Sequence, residues 1–145
     1  MAQLDIEITQ GSSFEWLMLI NDVNGEPLDM VDYDNVVAGN VRGQIRKKYT
    51  DAVATETFHI SILNKTGVLA AIAASTVHLT TAEIAALEPD TSGSCYLLCL
   101  LSATETAAVA KGTYVYDIEI EDTLQYVFKP FYGTATVSPE ATKAA

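Results

Sequence analysis

Apolar and polar positions alternate along much of the chain, most clearly over residues 113–120. Tyr114, Tyr116, Ile118 and Ile120 are separated by Val115, Asp117 and Glu119, which is the period of a half-buried β-strand. Residues 3–10 alternate in the same way. Nearly continuous apolar runs predict a central strand at residues 14–20 and a buried strand at residues 95–101. Further strands are predicted at residues 36–49, 58–63 and 68–73, and near 125–132.

Turn and capping residues separate these predicted strands. Asn24-Gly25 is a hairpin signal, and residues 64–67 predict a second hairpin turn that leads into the strand at 68–73. Ser102 with Glu105, and the similar segment over residues 80–83, are capping boxes that predict short helices. The sequence therefore predicts an all-β fold: an antiparallel β-sandwich, Ig-like or jelly-roll-like, with one or two short helical turns. Residues 1–145 are expected to form a single domain.

The net charge of −11 comes from 19 acidic and 8 basic residues. That excess of negative charge argues against binding to nucleic acid or to an anionic membrane, because both need clustered Lys and Arg. Residues 1–7 lack the basic start and apolar core of a signal peptide. No apolar run is long enough to span a bilayer. We therefore expect a chain made in the cytoplasm, with neither nucleic acid nor membrane among its partners.

The residues that usually carry chemistry do not form a recognisable motif. Cys95 and Cys99 lie four residues apart on one predicted strand, so their Cα atoms would be about 13 Å apart; they are expected to be buried free thiols on one face. His59 and His78 have no partner at ligand spacing. The acidic turn around Asn24 does not fit a calcium loop. We expect no enzymatic activity, no cofactor and no metal.

Half of the basic residues fall within residues 42–48. They are Arg42, Arg46, Lys47 and Lys48. One interpretation is a docking patch for an acidic neighbour, which could be another copy of this chain meeting an acidic face such as residues 117–122. The other is an exposed strand end where cations prevent edge-to-edge pairing. The sequence leaves both open.

Aromatic residues occupy both faces of the segment 125–132. Tyr126, Phe128 and Tyr132 fall on one side, with Val127 and Phe131 on the other, and Pro130 implies an edge or bulge position. A sandwich strand buries one face in its own core, so the second set needs another cover. We therefore predict a homo-oligomer whose contact lies near residues 125–132.

Several features follow one another in a distinctive order along the chain. They are residues 10–14, 24–29, Gln44-Ile45-Arg46, residues 102–108, Tyr114-Val115-Tyr116-Asp117 within 112–119, and Val137-Ser138-Pro139-Glu140 within 133–142. This order resembles small β-rich virion structural proteins of tailed bacteriophages, similar to the N-terminal domain of baseplate upper proteins that hold receptor-binding fibres.

The resemblance implies a β-sandwich in a symmetric virion, at the tail, baseplate or fibre attachment point, assembled in the host bacterial cytoplasm. It implies a trimer rather than a dimer, contacts with other virion proteins, and no catalytic residues. Two alternatives stay open: a capsid decoration protein, and a soluble carbohydrate-binding module. In the module, Tyr126, Phe128, Phe131 and Tyr132 would line the sugar groove.

Overall fold

The computed structural model describes residues 2–21, 24–30, 41–121 and 127–139. This part of the chain is mostly β-strand, as the alternation predicted. The strands are β1 Ala2–Gln3, β2 Ile6–Thr9, β3 Phe14–Leu19, β4 Val41–Arg46, β5 Glu56–Thr57, β6 His59–Leu63, β7 Tyr96–Leu101, β8 Gly112–Glu121 and β9 Val127–Ser138. The helices are α1 Lys65–Ala73, α2 Thr81–Ala85 and α3 Ala103–Ala108, with a 3₁₀ turn at Asp90–Ser92.

The first sheet is curled and mixed. Its strand order is β1-β9-β8-β4-β5, and β2 also pairs with β9. The prediction of a wholly antiparallel fold is wrong at this edge, because β1 and β2 both run parallel to β9. A tight turn forces its two strands to be antiparallel, whereas a parallel pair needs a long connection. Almost the whole chain lies between β2 and β9, so no turn fixes their relative direction.

The second sheet is antiparallel, with the order β3-β7-β6. Among the described residues β3 pairs only with β7, so in this described sheet it is an edge strand and not the central strand predicted at residues 14–20. The strand is apolar on both faces for another reason. Trp16 and Met18 pack in the core between the sheets, whereas Leu17 and Leu19 face a second cluster, which includes Val68 of α1. Burial of both faces, not two neighbouring strands, explains the continuous apolar run.

Both sheets contribute to one main core. Ile45, Tyr116 and Ile118 of the first sheet cluster with Leu97 and Cys99 of the second. Aromatic contacts also join the sheets. The Trp16 ring centroid lies 6.0 Å from that of Tyr116 and 5.5 Å from that of Phe131. The chain passes between the sheets at Phe58, which separates β5 from β6 and is itself buried.

Helix α1 replaces the strand predicted at residues 68–73. The Asn64 side chain accepts a hydrogen bond from the Gly67 N–H at 2.8 Å, and the Asn64 carbonyl accepts one from the Val68 N–H at 2.9 Å. The residues expected to form a hairpin turn therefore cap a helix instead. Residues 68–73 include three Ala, the strongest helix former, and one Leu. With α2 and α3, the helical content exceeds the one or two turns predicted.

Several local predictions are confirmed. β8 spans Gly112–Glu121, and both predicted capping boxes form, with Thr80 and Ser102 as the N-caps. The Asn24-Gly25 turn lies between Asn21 and Pro27, which form an antiparallel bridge. The residues from 36 to 40 of the predicted basic strand lie outside the described residues. β4 covers 41–46, and the prediction is wrong at 47–49, where the chain turns.

Candidate functional site

One residue of the predicted basic patch, Arg42, is paired with acidic residues of the same chain. Arg42 on β4 forms an ion pair with Glu119 on β8, and its Nη1 lies 3.4 Å from Glu121 Oε2. The register explains this contact, because Arg42 lies directly opposite Glu119 in the ladder, where facing side chains interact. We expected the basic patch of one copy to meet the acidic face at residues 117–122 of another copy. Arg42 instead makes this contact within its own chain.

The other predicted basic residues lie close by. Arg46 Nη1 donates to the Asp51 carbonyl at 2.7 Å, while Lys47 and Lys48 are exposed in the loop that follows β4. β4 is not a bare edge, because β5 pairs with its Gln44 and Ile45. Lys47 and Lys48 are therefore exposed to solvent, whereas the charge of Arg42 is compensated within the chain.

Lys129 of β9 continues this charged row on the outer face of the first sheet. Its Nζ lies 3.0 Å from Asp117 Oδ2 and 3.8 Å from Glu119 Oε2. The hydrogen bond to Asp117 raises the pKa of Lys129, although partial burial acts in the opposite direction. The acidic face of β8 is therefore ion-paired with basic residues of the same chain, and Asp117, Glu119 and Lys129 line a groove of about 380 Å³ on that face.

The predicted aromatic contact segment is described only in part. Tyr126 lies outside the described residues, and the Phe128 side chain is not described. Phe131 lies opposite Ile118 and packs against the main core, whereas Tyr132 lies opposite Asp117 on the other face. The two described aromatics thus do not line one groove. At Pro130 the pairing of β9 with β8 shifts register, which confirms the predicted bulge.

The beginning of β9 is an open edge. β8 pairs with β9 from Val127 to Val137, while β1 begins its pairing on the other side at Phe131. Among the described residues, nothing pairs with Val127–Pro130 on that second side. Val127 is 43% exposed. Within the described part of the chain, this stretch is therefore a strand edge without a second neighbour, and it carries an exposed apolar side chain.

A groove of about 570 Å³ lies on another part of the molecule, where β3, β6 and the N-terminus of α3 meet the loop between α1 and α2. Two histidine–glutamate pairs line it, and we call it the His–Glu groove. His59 Nε2 lies 2.7 Å from Glu105 Oε2, and His78 Nδ1 lies 3.1 Å from Glu15 Oε1. The imidazoles are 66% and 71% exposed, and the carboxylates are half-buried.

Local structure holds Glu105 in place. It is the third residue of α3, where its other oxygen accepts a hydrogen bond from the Ser102 N–H at 2.8 Å. This backbone hydrogen bond, and then the bond from His59, hold the pKa of Glu105 below its ordinary value. The carboxylate is therefore ionised at neutral pH and accepts hydrogen bonds only.

The sequence analysis treated both histidines as solitary, and the structure corrects this. The partners of His59 and His78 are 46 and 63 residues away along the chain. No spacing rule links residues at such distances. The one available signal was the capping box, which predicted the position of Glu105 on α3 but not the strand it would face.

The remaining candidate groups add no further chemistry within the described part of the chain. Cys95 and Cys99 are buried and free, as predicted. They lie in different clusters and not on one face. Burial raises the pKa of the Cys99 thiol to about 12. Among the residues described, no three His, Cys, Asp or Glu side chains are placed to hold a metal ion. None of the described helices has the length and apolar character needed to cross a bilayer.

Comparison with known proteins gives no further guide to function. No protein-family model matches this chain, and no curated protein matches it in sequence.

Proposed function

We propose that this protein is a structural subunit of a bacteriophage virion, at the tail, baseplate or fibre attachment point, which acts by assembling with other protein chains. The observation that carries the proposal is the open edge of β9 at Val127–Pro130, which offers unpaired backbone to a neighbouring strand. It lies within the segment where the sequence predicts a contact. The order of sequence features that resembles baseplate upper proteins also supports it.

The proposed assembly is a homo-oligomer, and the resemblance to fibre-holding baseplate proteins favours a trimer over a dimer. An added strand at β9 would gain backbone hydrogen bonds and would cover Val127. Lys47 and Lys48 follow directly after β4 and are exposed, so they would be free to contact acidic residues of a second copy. Such contacts would offset the repulsion between two chains that each carry a net charge of −11. Ion pairs already made within the chain by Arg42 and Lys129 leave that role to the exposed lysines.

Light scattering of the purified protein tests the assembly. We expect the mass of three subunits at micromolar concentration, and dissociation to one subunit for Val127→Asp, because a buried charge opposes the contact. Leu69→Asp is the matched control, since Leu69 on α1 is 40% exposed against 43% for Val127. A wild-type mass of one subunit, or equal effects of both variants, would contradict this interface.

Localisation in an intact particle tests the virion assignment. Gold-labelled antibody against the purified chain should mark the tail tip or the fibre attachment point of phage particles in electron micrographs. Labelling spread over the head would support a decoration protein instead. Absence of the chain from purified particles would refute a structural role.

We also propose that the two sheets form a β-sandwich. Support comes from the main core, to which both sheets contribute, and from the contacts of Trp16 with Tyr116 and Phe131 across it. An aligned sandwich would place the mean strand directions of the sheets about 30° apart. Measurement of this angle in a crystal structure distinguishes it from an orthogonal packing.

A further inference from the structure

We propose that the His–Glu groove binds a short, neutral saccharide. This inference stands apart from the virion assignment, because it concerns a surface formed by β3, β6 and α3 and not the open edge of β9. The hydrogen bonds of the two imidazoles, the charge of the groove and its mixed lining all favour such a ligand.

Each histidine uses one ring nitrogen to bind its carboxylate. An ionised carboxylate only accepts hydrogen bonds, so the bonded nitrogen carries the proton. In the neutral imidazole the other nitrogen, Nδ1 of His59 or Nε2 of His78, then has a free lone pair. No other described residue bonds to these two atoms. When the imidazoles are neutral, the groove thus holds two oriented acceptors that a hydroxyl group of a ligand can reach.

The charge of the groove selects against anions. Glu15 and Glu105 supply two negative charges, and none of the described residues that line the groove is Lys or Arg. An anionic ligand would meet repulsion here and from the chain as a whole, whose net charge is −11. A neutral polyol would not experience this electrostatic repulsion.

The rest of the lining matches the two kinds of surface on a sugar ring. Ser13 and Thr76 provide hydroxyl groups that both donate and accept. Phe14 and Leu100 provide apolar surface on which the C–H face of a sugar can pack. Sites for small ligands combine apolar walls with a few placed polar groups in volumes of about 300–1,000 Å³, and this groove of about 570 Å³ lies within that range.

A printed array of bacterial and mammalian glycans is the first test. We expect binding to neutral oligosaccharides, with little or none to sulfated or sialylated ones. The hit saccharide is then titrated into ¹⁵N-labelled protein, and the ring nitrogens of His59 and His78 are followed by NMR. Their resonances should shift with the saccharide concentration, which reports on the groove without any variant.

Substitutions then assign the site. His59→Ala and His78→Ala should each weaken binding about tenfold, the effect of losing one hydrogen bond. Both imidazoles are largely exposed, so both variants should fold, as circular dichroism can verify. Glu7→Ala is the control, because Glu7 is an exposed polar residue on β2, outside the groove. An array without hits, hits confined to anionic glycans, or unshifted histidine resonances would overturn the proposal.

Discussion

Gly133 is the residue on which the parallel edge of the first sheet depends. Its φ is 157°, and a Cβ there would lie 2.2 Å from the Leu4 carbonyl oxygen. The close approach allows the Leu4 N–H to donate to the Tyr132 carbonyl at 2.9 Å. The Tyr116 hydroxyl, at 2.6 Å, donates to the same Leu4 oxygen. A residue without a side chain is therefore required where the segment between β1 and β2 runs closely alongside β9.

We expect Gly133→Ala to lower the free energy of unfolding by about 2–4 kcal/mol, because backbone and not a flexible side chain must move to admit the methyl group. Urea denaturation monitored by Trp16 fluorescence measures the change. Gly25→Ala is the control: Gly25 also has a positive φ, of 82°, but no atom lies within 4 Å of a Cβ there. Gly25→Ala should lower the free energy of unfolding by only about 1 kcal/mol, which is the cost of the left-handed conformation for a residue with a side chain. Equal losses would show that the contact with Leu4 is unimportant.

At the scale of elements, the capped N-terminus of α3 connects the second sheet to the His–Glu groove. The Ser102 hydroxyl accepts from the Glu105 N–H at 3.1 Å, and Glu105 accepts from the Ser102 N–H at 2.8 Å. Thr106, which is fully buried, donates from its hydroxyl to the Ser12 carbonyl at 2.8 Å. One short helix thus holds both the loop before β3 and the carboxylate that orients His59.

Ser102→Ala should lower the free energy of unfolding by about 1 kcal/mol, because the Glu105 N–H loses its acceptor. Thermal unfolding followed by circular dichroism measures this loss. Thr104→Ala, an exposed change within the same helix, is the control and should cost little or nothing. A loss for Ser102→Ala no larger than that of the control would mean that the cap contributes nothing.

The same cap gives a pH dependence of stability. The pKa of Glu105 is held below its ordinary value of 4.5 in the folded chain, so its contribution is present above that value and disappears as the pH falls through the folded pKa. We expect urea midpoints to fall as the pH is lowered below about 4.5, and to fall less in Glu105→Gln, which keeps the geometry of the capping box. Identical pH profiles for the two proteins would contradict this assignment.

At the scale of the whole molecule, negative charge is in excess, and the ion pairs on the first sheet compensate only part of it. Exposed pairs of this kind contribute little each, whereas a net charge of −11 produces repulsion over the entire surface. Repulsion should therefore be the larger electrostatic effect on stability.

We expect the melting temperature to rise by about 2–4 °C between 0.01 and 0.15 M sodium chloride, because screening shortens the Debye length from about 30 to 8 Å. Scanning calorimetry measures the shift, and potassium chloride should give the same result if screening is responsible. A fall in melting temperature with salt would show that the Arg42 and Lys129 ion pairs outweigh the repulsion.

The sequence by itself determined features that depend on neighbouring residues. The alternation of apolar and polar residues predicted β8, and the capping boxes predicted the starts of α2 and α3. Pro130 predicted the bulge in β9. Each has a local cause: a two-residue period, a side chain that bonds three residues ahead, or an absent N–H. The burial of both thiols followed in the same way from an apolar run.

Only the tertiary structure decided the features that join distant segments. The apolar run at β3 indicated burial on both faces, but not that helices cover one of them. Residues 68–73 are apolar and short, a pattern that fits strand and helix equally, and packing against the second sheet selected the helix. The parallel edge and both His–Glu pairs join residues far apart along the chain. Local sequence does not specify such contacts, because they form only when the two sheets close on their common core.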